Sequence, residues 1–227
     1  MFASTESSAE DVFFSQSLAY IKQKQYLCAL KLQIIFTYSL QMDVLSVILP
    51  NPRTVFTPQW LALQDNIRDR ESLSRSLMYY AKKGVLLNPR KGIYTKLKYE
   101  EQEMACTILS PSYISLEYVL ARAGVTFQYS SEITCISYQN RTIDVDGRSY
   151  VFRKINPMIW ANMLGIEQRD NIAIATPERA FLDMVYLSAG QCYFDNLHPL
   201  NRDLIQEILP TYNSKVLTKR VEALLKE

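Results

Sequence analysis

The chain is 227 residues long, 48% hydrophobic and 21% charged, with a net charge of +2. These values are those of an ordinary globular protein and exclude extensive disorder. The longest apolar stretch, Leu27 to Val47, is broken by Lys31, Gln33, Ser39, Gln41 and Asp43, so no membrane-spanning helix and no membrane partner are predicted.

Residues 1 to about 10 are small, polar and acidic and read as disordered. Val12 to Leu40 reads as one or two helices rich in Gln, Tyr and Lys, so residues 1–41 are taken as an N-terminal extension without an assigned role. The N-terminus lacks a basic segment before an apolar core, which argues against secretion and for a cytoplasmic location. A short helix is expected from Asp43 to Leu49, ended by Pro50 and Pro52. Thr57 before Pro58 combines a capping hydroxyl with a residue suited to the first helical position, so a helix should run from Pro58 to about Gln64. Asp65 to Arg70 reads as a turn, with Asp69 as the cap of the next helix and Glu71 in its first turn.

That next helix, Arg70 to Lys83, lies in the most informative stretch of the chain. Arg68 to Lys98 carries nine Lys or Arg and two acids, a local balance of +7, so the remainder of the chain sums to −5. A basic segment on a mildly acidic body is the electrostatic footprint of a nucleic-acid-binding module. At about 100° per residue, Leu73, Leu77, Tyr80 and Ala81 gather on one face, expected to be buried, and Ser72, Arg75, Ser76, Tyr79, Lys82 and Lys83 on the other. Gly84 supplies the stop. Two short β-compatible runs, Val85 to Leu87 and Ile93 to Thr95, then flank the turn Asn88-Pro89-Arg90-Lys91-Gly92. Helix, stop and basic hairpin together predict a winged helix-turn-helix over residues 42–97. Its candidate DNA-binding residues are Arg70, Ser72, Arg75, Ser76, Tyr79, Lys82 and Lys83 on the helix and Arg90 and Lys91 on the wing. Arg75 has the geometry to reach guanine O6 and N7, whereas Lys82 and Lys83 suit phosphate and equally suit the helix C-terminus without DNA.

Residues 98–227 read as a second, mixed α+β domain, with strands grouped in the middle, so the fold class is α+β. Ser112 to Ala123 is expected to be a helix stopped by Gly124. Ser131 to Phe152 alternates around the turn pair Asp146-Gly147. Ile172 to Ala175 reads as a strand. Thr176, again before a proline, caps a helix from Pro177 to about Leu187, and two more helices follow at Arg202 to Leu209 and Lys215 to Lys226.

Catalytic signals are sparse. Cys28, Cys106, Cys135 and Cys192 are scattered without a CxxC pair and read as reduced thiols, and the single histidine, His198, leaves little room for His-based catalysis. Glu178 falls in the first turn of its helix, and Arg179 and Asp183 form an i, i+4 pair expected to be a surface bridge. Asp144 and Asp146 are spaced as in metal-binding nucleotidyltransferases, but no Gly-Ser turn precedes them, so Asp146-Gly147 is better read as a turn. No phosphate loop, dinucleotide fingerprint, nucleophile elbow or zinc-protease motif occurs. Neither an enzyme nor a bound cofactor or metal is therefore expected.

Three phrases in order, KKGVLLNPRKGIY (Lys82 to Tyr94), PSYISLEYVLARAGV (Pro111 to Val125) and IAIATPERAFLDMVYL (Ile172 to Leu187), give a resemblance. Over about residues 42–190 the chain resembles the AbiEi family, the antitoxin half of type IV, AbiE-type abortive-infection toxin–antitoxin systems. The resemblance implies a transcriptional autorepressor whose winged helix binds inverted repeats in its own promoter, double-stranded DNA. It also implies an antitoxin activity in the C-terminal domain against a nucleotidyltransferase-like toxin, in many members without a stable complex. Two copies, a homodimer on DNA, are expected on an inverted repeat. The competing expectation is a protein-interaction module that neutralises a partner toxin directly through its C-terminal domain.

Overall fold

The computed structural model describes residue 24 and residues 44–64, 70–128, 130–189 and 191–226. The expected helices of residues 1–41, Lys24 apart, and residues 65–69 of the expected Asp65 to Arg70 turn, with its Asp69 cap, lie outside the described residues.

Residues 44–95 build a small helical unit around a three-stranded sheet. Helix α1 (Val44–Ile48) buries Val44 and Ile48. Strand β1 (Val55–Phe56) follows, and then α2 (Pro58–Ala62), where Thr57 Oγ1 accepts from the Trp60 amide at 3.2 Å. The helix stops two residues short of the expected Gln64, because Leu63 and Gln64 turn back onto the Trp60 and Leu61 carbonyls. Helix α3 (Arg70–Lys82) buries Leu73 and Leu77. Strands β2 (Leu87–Arg90) and β3 (Ile93–Thr95) complete an antiparallel sheet in the order β1-β3-β2. Phe56, Leu61, Leu73, Leu77, Leu86 and Tyr94 join Val44 and Ile48 in one apolar cluster, with Tyr80 and Ala81 packed on its edge. At about 1.5–3 kcal/mol for each fully buried large side chain, this cluster is what holds the short elements together.

The hairpin differs from expectation. Asn88, Pro89 and Arg90 belong to strand β2, and only Lys91 and Gly92 make the turn, while Val85 and Leu86 form a bend. Two features reconcile a proline with a strand. β2 is the edge of its sheet, where a missing amide costs no ladder bond, and the register shifts between Leu87 and Arg90. The Asn88 side-chain amide donates to the Arg90 and Ile93 carbonyls at 3.1 and 2.8 Å and ties the two strands together.

The rest of the chain is mixed α+β. Its six-stranded sheet has the order β6-β7-β5-β4-β9-β8, formed by β4 (Ser112–Ile114), β5 (Ile133–Ser137), β6 (Arg141–Val145), β7 (Arg148–Lys154), β8 (Ile166–Arg169) and β9 (Ile172–Ala175). β4 with β9 and β5 with β7 are parallel, and the other pairs are antiparallel. The helices are α4 (Glu101–Ile108), α5 (Glu117–Arg122), α6 (Pro157–Trp160), α7 (Pro177–Leu187), α8 (Arg202–Ile208) and α9 (Lys215–Leu224), with a 3-10 turn at Leu209–Tyr212. Ser112 to Ala123 is therefore not one helix: its first residues form β4, and Leu116, at φ 60°, breaks the chain before α5 begins. The Asp146-Gly147 turn forms as expected, with both residues at positive φ. Thr176 Oγ1 accepts from the Arg179 amide at 3.3 Å and starts α7 at Pro177.

One carboxylate joins the small unit to the larger one. Glu103 on α4 is buried, and its Oε2 accepts from the Thr54 amide at 2.8 Å and the Thr54 hydroxyl at 2.6 Å. Its Oε1 accepts from the Asn171 amide at 3.2 Å. Arg53 Nε lies 3.2 Å from Oε1 without a hydrogen-bonding alignment, so that contact is one of charge. Arg53 Nη2 donates to Asn171 Oδ1 at 2.6 Å. Val55 and Ile93 of the small sheet also pack into the larger apolar cluster.

Candidate nucleic-acid interface

Helix α3 sorts its residues by the 3.6-residue period, and the outcome can be read residue by residue. Arg70, Arg75, Tyr79, Lys82 and Lys83 are exposed. Ser72 and Ser76 are half-buried on the shoulders of the helix, nearer the apolar cluster than the expected polar face. The most outward surface instead includes Met78, 52% exposed, beside Glu71, Arg75, Tyr79 and Lys82, and Ser74 is also exposed. The face is thus not purely cationic and hydroxylic. Carrying the 100° step outward from Leu73 and Leu77 places Met78 and Ser72 equally far from the outward direction and only Ser76 well to the side, so the half-burial of Ser72 is not a matter of helical period.

The C-terminal end of α3 is ordered by local contacts. The Tyr79 and Tyr80 rings meet edge-on with centroids 5.3 Å apart, and Lys83 Nζ sits 5.8 Å from the Tyr79 centroid. Gly84, at φ 71°, lets the Val85 amide turn back to the Tyr80 carbonyl at 3.0 Å. The charges of Lys82 and Lys83 lie at the negative end of the helix dipole, which favours them there.

The hairpin presents its two cations differently. Lys91 is exposed at the turn, whereas Arg90 is half-buried and paired across the ladder with Ile93. A third cation of the basic stretch turns inward: Lys96 Nζ donates to the Leu49 and Asn51 carbonyls at 3.2 and 2.5 Å and caps the segment leaving α1.

The other residues with chemistry are engaged in structure. Arg179 and Asp183 are wholly buried, which corrects the expectation of a surface bridge. Arg179 Nη1 donates to the Asn162 and Leu164 carbonyls at 3.1 and 2.9 Å, and Nη2 donates to the Ile159 carbonyl at 2.8 Å and the Tyr113 hydroxyl at 3.1 Å. Asp183 accepts from Tyr113, Ser115 and Tyr212 hydroxyls at 3.1, 2.9 and 2.6 Å. Burial pushes the Asp183 carboxyl up from its ordinary value, against the pull of the Arg179 charge and the three hydroxyls. Burial is the largest single influence on Arg179 and would lower it, but the Asp183 charge together with Tyr212 and Tyr113 outweighs it, and the guanidinium holds its proton more tightly than usual. Every polar hydrogen of this guanidinium has an acceptor within the protein, so the cluster is a rivet joining α7 to β4, the α6 loop and the 3-10 turn. Glu178 is also buried and accepts from the Asn201 amide at 2.9 Å. Asp146 accepts from the Tyr99 hydroxyl at 2.7 Å, and Asp144 from Ser149 at 2.5 Å. Among the described residues, no group of three His, Cys, Asp or Glu is placed to hold a metal ion. Among the same residues no helix is long and apolar enough to cross a membrane. Cys106, Cys135 and Cys192 are free thiols.

No protein-family model matches the chain, and no curated protein matches it.

Proposed function

We propose that the chain is a DNA-binding transcriptional regulator of the AbiEi antitoxin type, in which residues 42–97 act as a winged helix-turn-helix. The observation that carries this reading is the surface of α3. Arg75, Tyr79, Lys82 and Lys83 are exposed together, while Leu73 and Leu77 on the reverse side anchor the helix in the apolar cluster. An anchored helix with a cationic outer face can enter a major groove, and Lys91 at the adjoining hairpin turn is suited to flanking phosphate. In this reading Arg75 makes the base contact and the lysines position the helix on the backbone. Mechanism is then binding without catalysis: two copies occupy an inverted repeat in the promoter and repress it.

The test is fluorescence-anisotropy titration against the DNA upstream of the chain's own gene, at two salt concentrations, with a scrambled duplex and Arg75→Ala alongside. The expected result is salt-sensitive, sequence-preferring binding that Arg75→Ala weakens by about 1–3 kcal/mol. Equal weak binding to both duplexes, unaltered by the substitution, would overturn the regulator reading.

A second reading is direct neutralisation of a partner toxin through residues 98–227. It is favoured by exposed aromatics at one end of that region: Phe127 is 71% and Tyr193 81% exposed, and the Phe127 amide donates to Asp195 at 2.7 Å. Co-purification with the product of an adjacent nucleotidyltransferase gene, lost in Phe127→Ala/Tyr193→Ala, is its test.

A further inference from the structure

A cavity of about 680 Å³ opens where the small unit meets the larger one, within the size range of small-molecule sites. Trp60 of α2 and Trp160 of α6 both line it, and they are the only two tryptophans of the chain. Two indoles drawn from distant parts of the sequence thus line one cavity, with the Arg53 guanidinium over one face of Trp60 at 4.6 Å. Flat heteroaromatic rings stack on such faces with little regard to their exact substitution.

The polar groups of the cavity define the ligand further. Ser112 Oγ is buried in the wall behind the cavity without a hydrogen-bond partner, closed off from the open space. Asp170 adds a carboxylate, and Asn171 an amide whose oxygen and nitrogen each already make one bond, to Arg53 and Glu103, and keep a second lone pair and a second hydrogen. Arg53 is the one cation among the lining residues, and it is already engaged: its guanidinium lies 4.6 Å from the Trp60 centroid, against Glu103 and Asn171. A polyphosphate would therefore meet a carboxylate and no uncommitted positive charge. A neutral ring with donors and acceptors on its edge meets what it needs.

We infer that this cavity is a binding site for an uncharged, planar nitrogen heterocycle of nucleobase or nucleoside size, stacked against the Trp60 and Trp160 indoles and hydrogen-bonded at Asp170 and Asn171. The site goes beyond the DNA-binding reading and stands whether or not that reading holds.

Because no other tryptophan exists, indole emission reports on this cavity alone. The experiment is titration of the full-length protein with adenosine, guanosine and cytidine, with ATP and benzoate as charged comparisons, read by tryptophan fluorescence and by thermal unfolding. The expected result is saturable quenching by at least one nucleoside, accompanied by a raised Tm, with ATP binding at least about tenfold more weakly. In Trp60→Phe and in Trp160→Phe the remaining indole should still be quenched, with midpoints within about tenfold of the wild type. Ala161→Phe, which adds bulk at an exposed lining position, should abolish quenching while leaving the circular dichroism unchanged. Absence of saturable quenching by all three nucleosides up to about 10 mM overturns the proposal. So does preference for benzoate or ATP, or quenching that Ala161→Phe leaves intact.

Discussion

Arg179 Nε and Asp183 Oδ1 lie 3.3 Å apart, one turn apart on α7, with neither side chain exposed to solvent at all. A pair at this spacing on a helix surface is worth a few tenths of a kcal/mol, but an enclosed pair behaves differently, because removing one partner strands the other. Asp183→Ala leaves the Arg179 charge and three hydroxyls without their acceptor, and is expected to cost about 3–5 kcal/mol. Arg179→Met should cost a similar amount by orphaning the Ile159, Asn162 and Leu164 carbonyls. The double variant should fall short of the sum by at least about 1 kcal/mol. Urea unfolding of the four proteins measures all three quantities, and strict additivity would contradict the coupling.

The cations of the basic stretch divide by role, and salt dependence separates them. Lys91→Ala is expected to weaken DNA binding across all sequences and to reduce the slope of log K against log salt by about 1. Lys96→Met should leave that slope unchanged while lowering stability by about 1–2 kcal/mol, since its ammonium serves the Leu49 and Asn51 carbonyls. Anisotropy at four salt concentrations, with thermal unfolding on the same samples, checks both halves.

Two glycines with the same backbone sign should respond unequally to alanine. Gly84, at φ 71°, has open space where a Cβ would go, so only the left-handed backbone resists. That costs about 1–2 kcal/mol, of which about 0.4–1 is returned by a stiffer unfolded chain. Gly165, at φ 75°, would place a Cβ 2.6 Å from Ile208 Cδ1 and 2.9 Å from Arg179 Cβ. Because Arg179 is fixed by all its hydrogen bonds, an overpacking cost of about 1–3 kcal/mol adds to the backbone term. Denaturant midpoints should rank wild type, Gly84→Ala, then Gly165→Ala.

Cys106 gives a pH-dependent signature. Burial raises its thiol to about 11 from an ordinary value of 9.0, opposed by a backbone hydrogen bond at Ala173 and reinforced by the Glu103 charge. At pH 8 the native thiolate fraction is then about a hundredfold below that of the unfolded chain, and the stronger nucleophilicity of a high-pKa thiolate recovers about tenfold. Native alkylation by iodoacetamide should be at least about tenfold slower than in urea and should climb towards pH 11. The sign for stability follows. The raised value favours the folded state below pH 9, and that contribution is lost as pH rises from 9 to about 11.

Sequence and structure agree where the signal is local. Thr57-Pro58 and Thr176-Pro177 announce helix starts because the hydroxyl that caps and the amide that it caps lie three residues apart. Asp146-Gly147 announces its turn for the same reason. PSYISLEYVL misleads because its apolar spacing suits a helix throughout, while the break at Leu116 is a backbone conformation that leucine does not advertise. The strand that precedes it is paired to Ile174, sixty residues away. Helix α4 carries a weak signal because Glu103, a charged residue, occupies an inward position that the period assigns to apolar side chains. The outer face of α3 is legible in its cations and in its buried side, but the half-burial of Ser72 and Ser76 is not.

The strand order carries a consequence for how the chain assembles. β7 lies between β5 and β6 although it follows both in sequence, so β5 cannot acquire its parallel neighbour until the chain has already passed through β6 and the Asp146-Gly147 turn. The β6–β7 ribbon closes over two residues, at a small entropic cost, and then docks whole onto β5. The β4–β9 pairing, which encloses that ribbon within its loop, comes later. Pulse-labelled hydrogen exchange should accordingly protect the amides of Ile143 and Tyr150 before those of Ile114 and Ile174. Nascent protein truncated before Arg148 would hold β5 with an unsatisfied edge, which makes synthesis past that residue the point at which the sheet stops being exposed to stray strands.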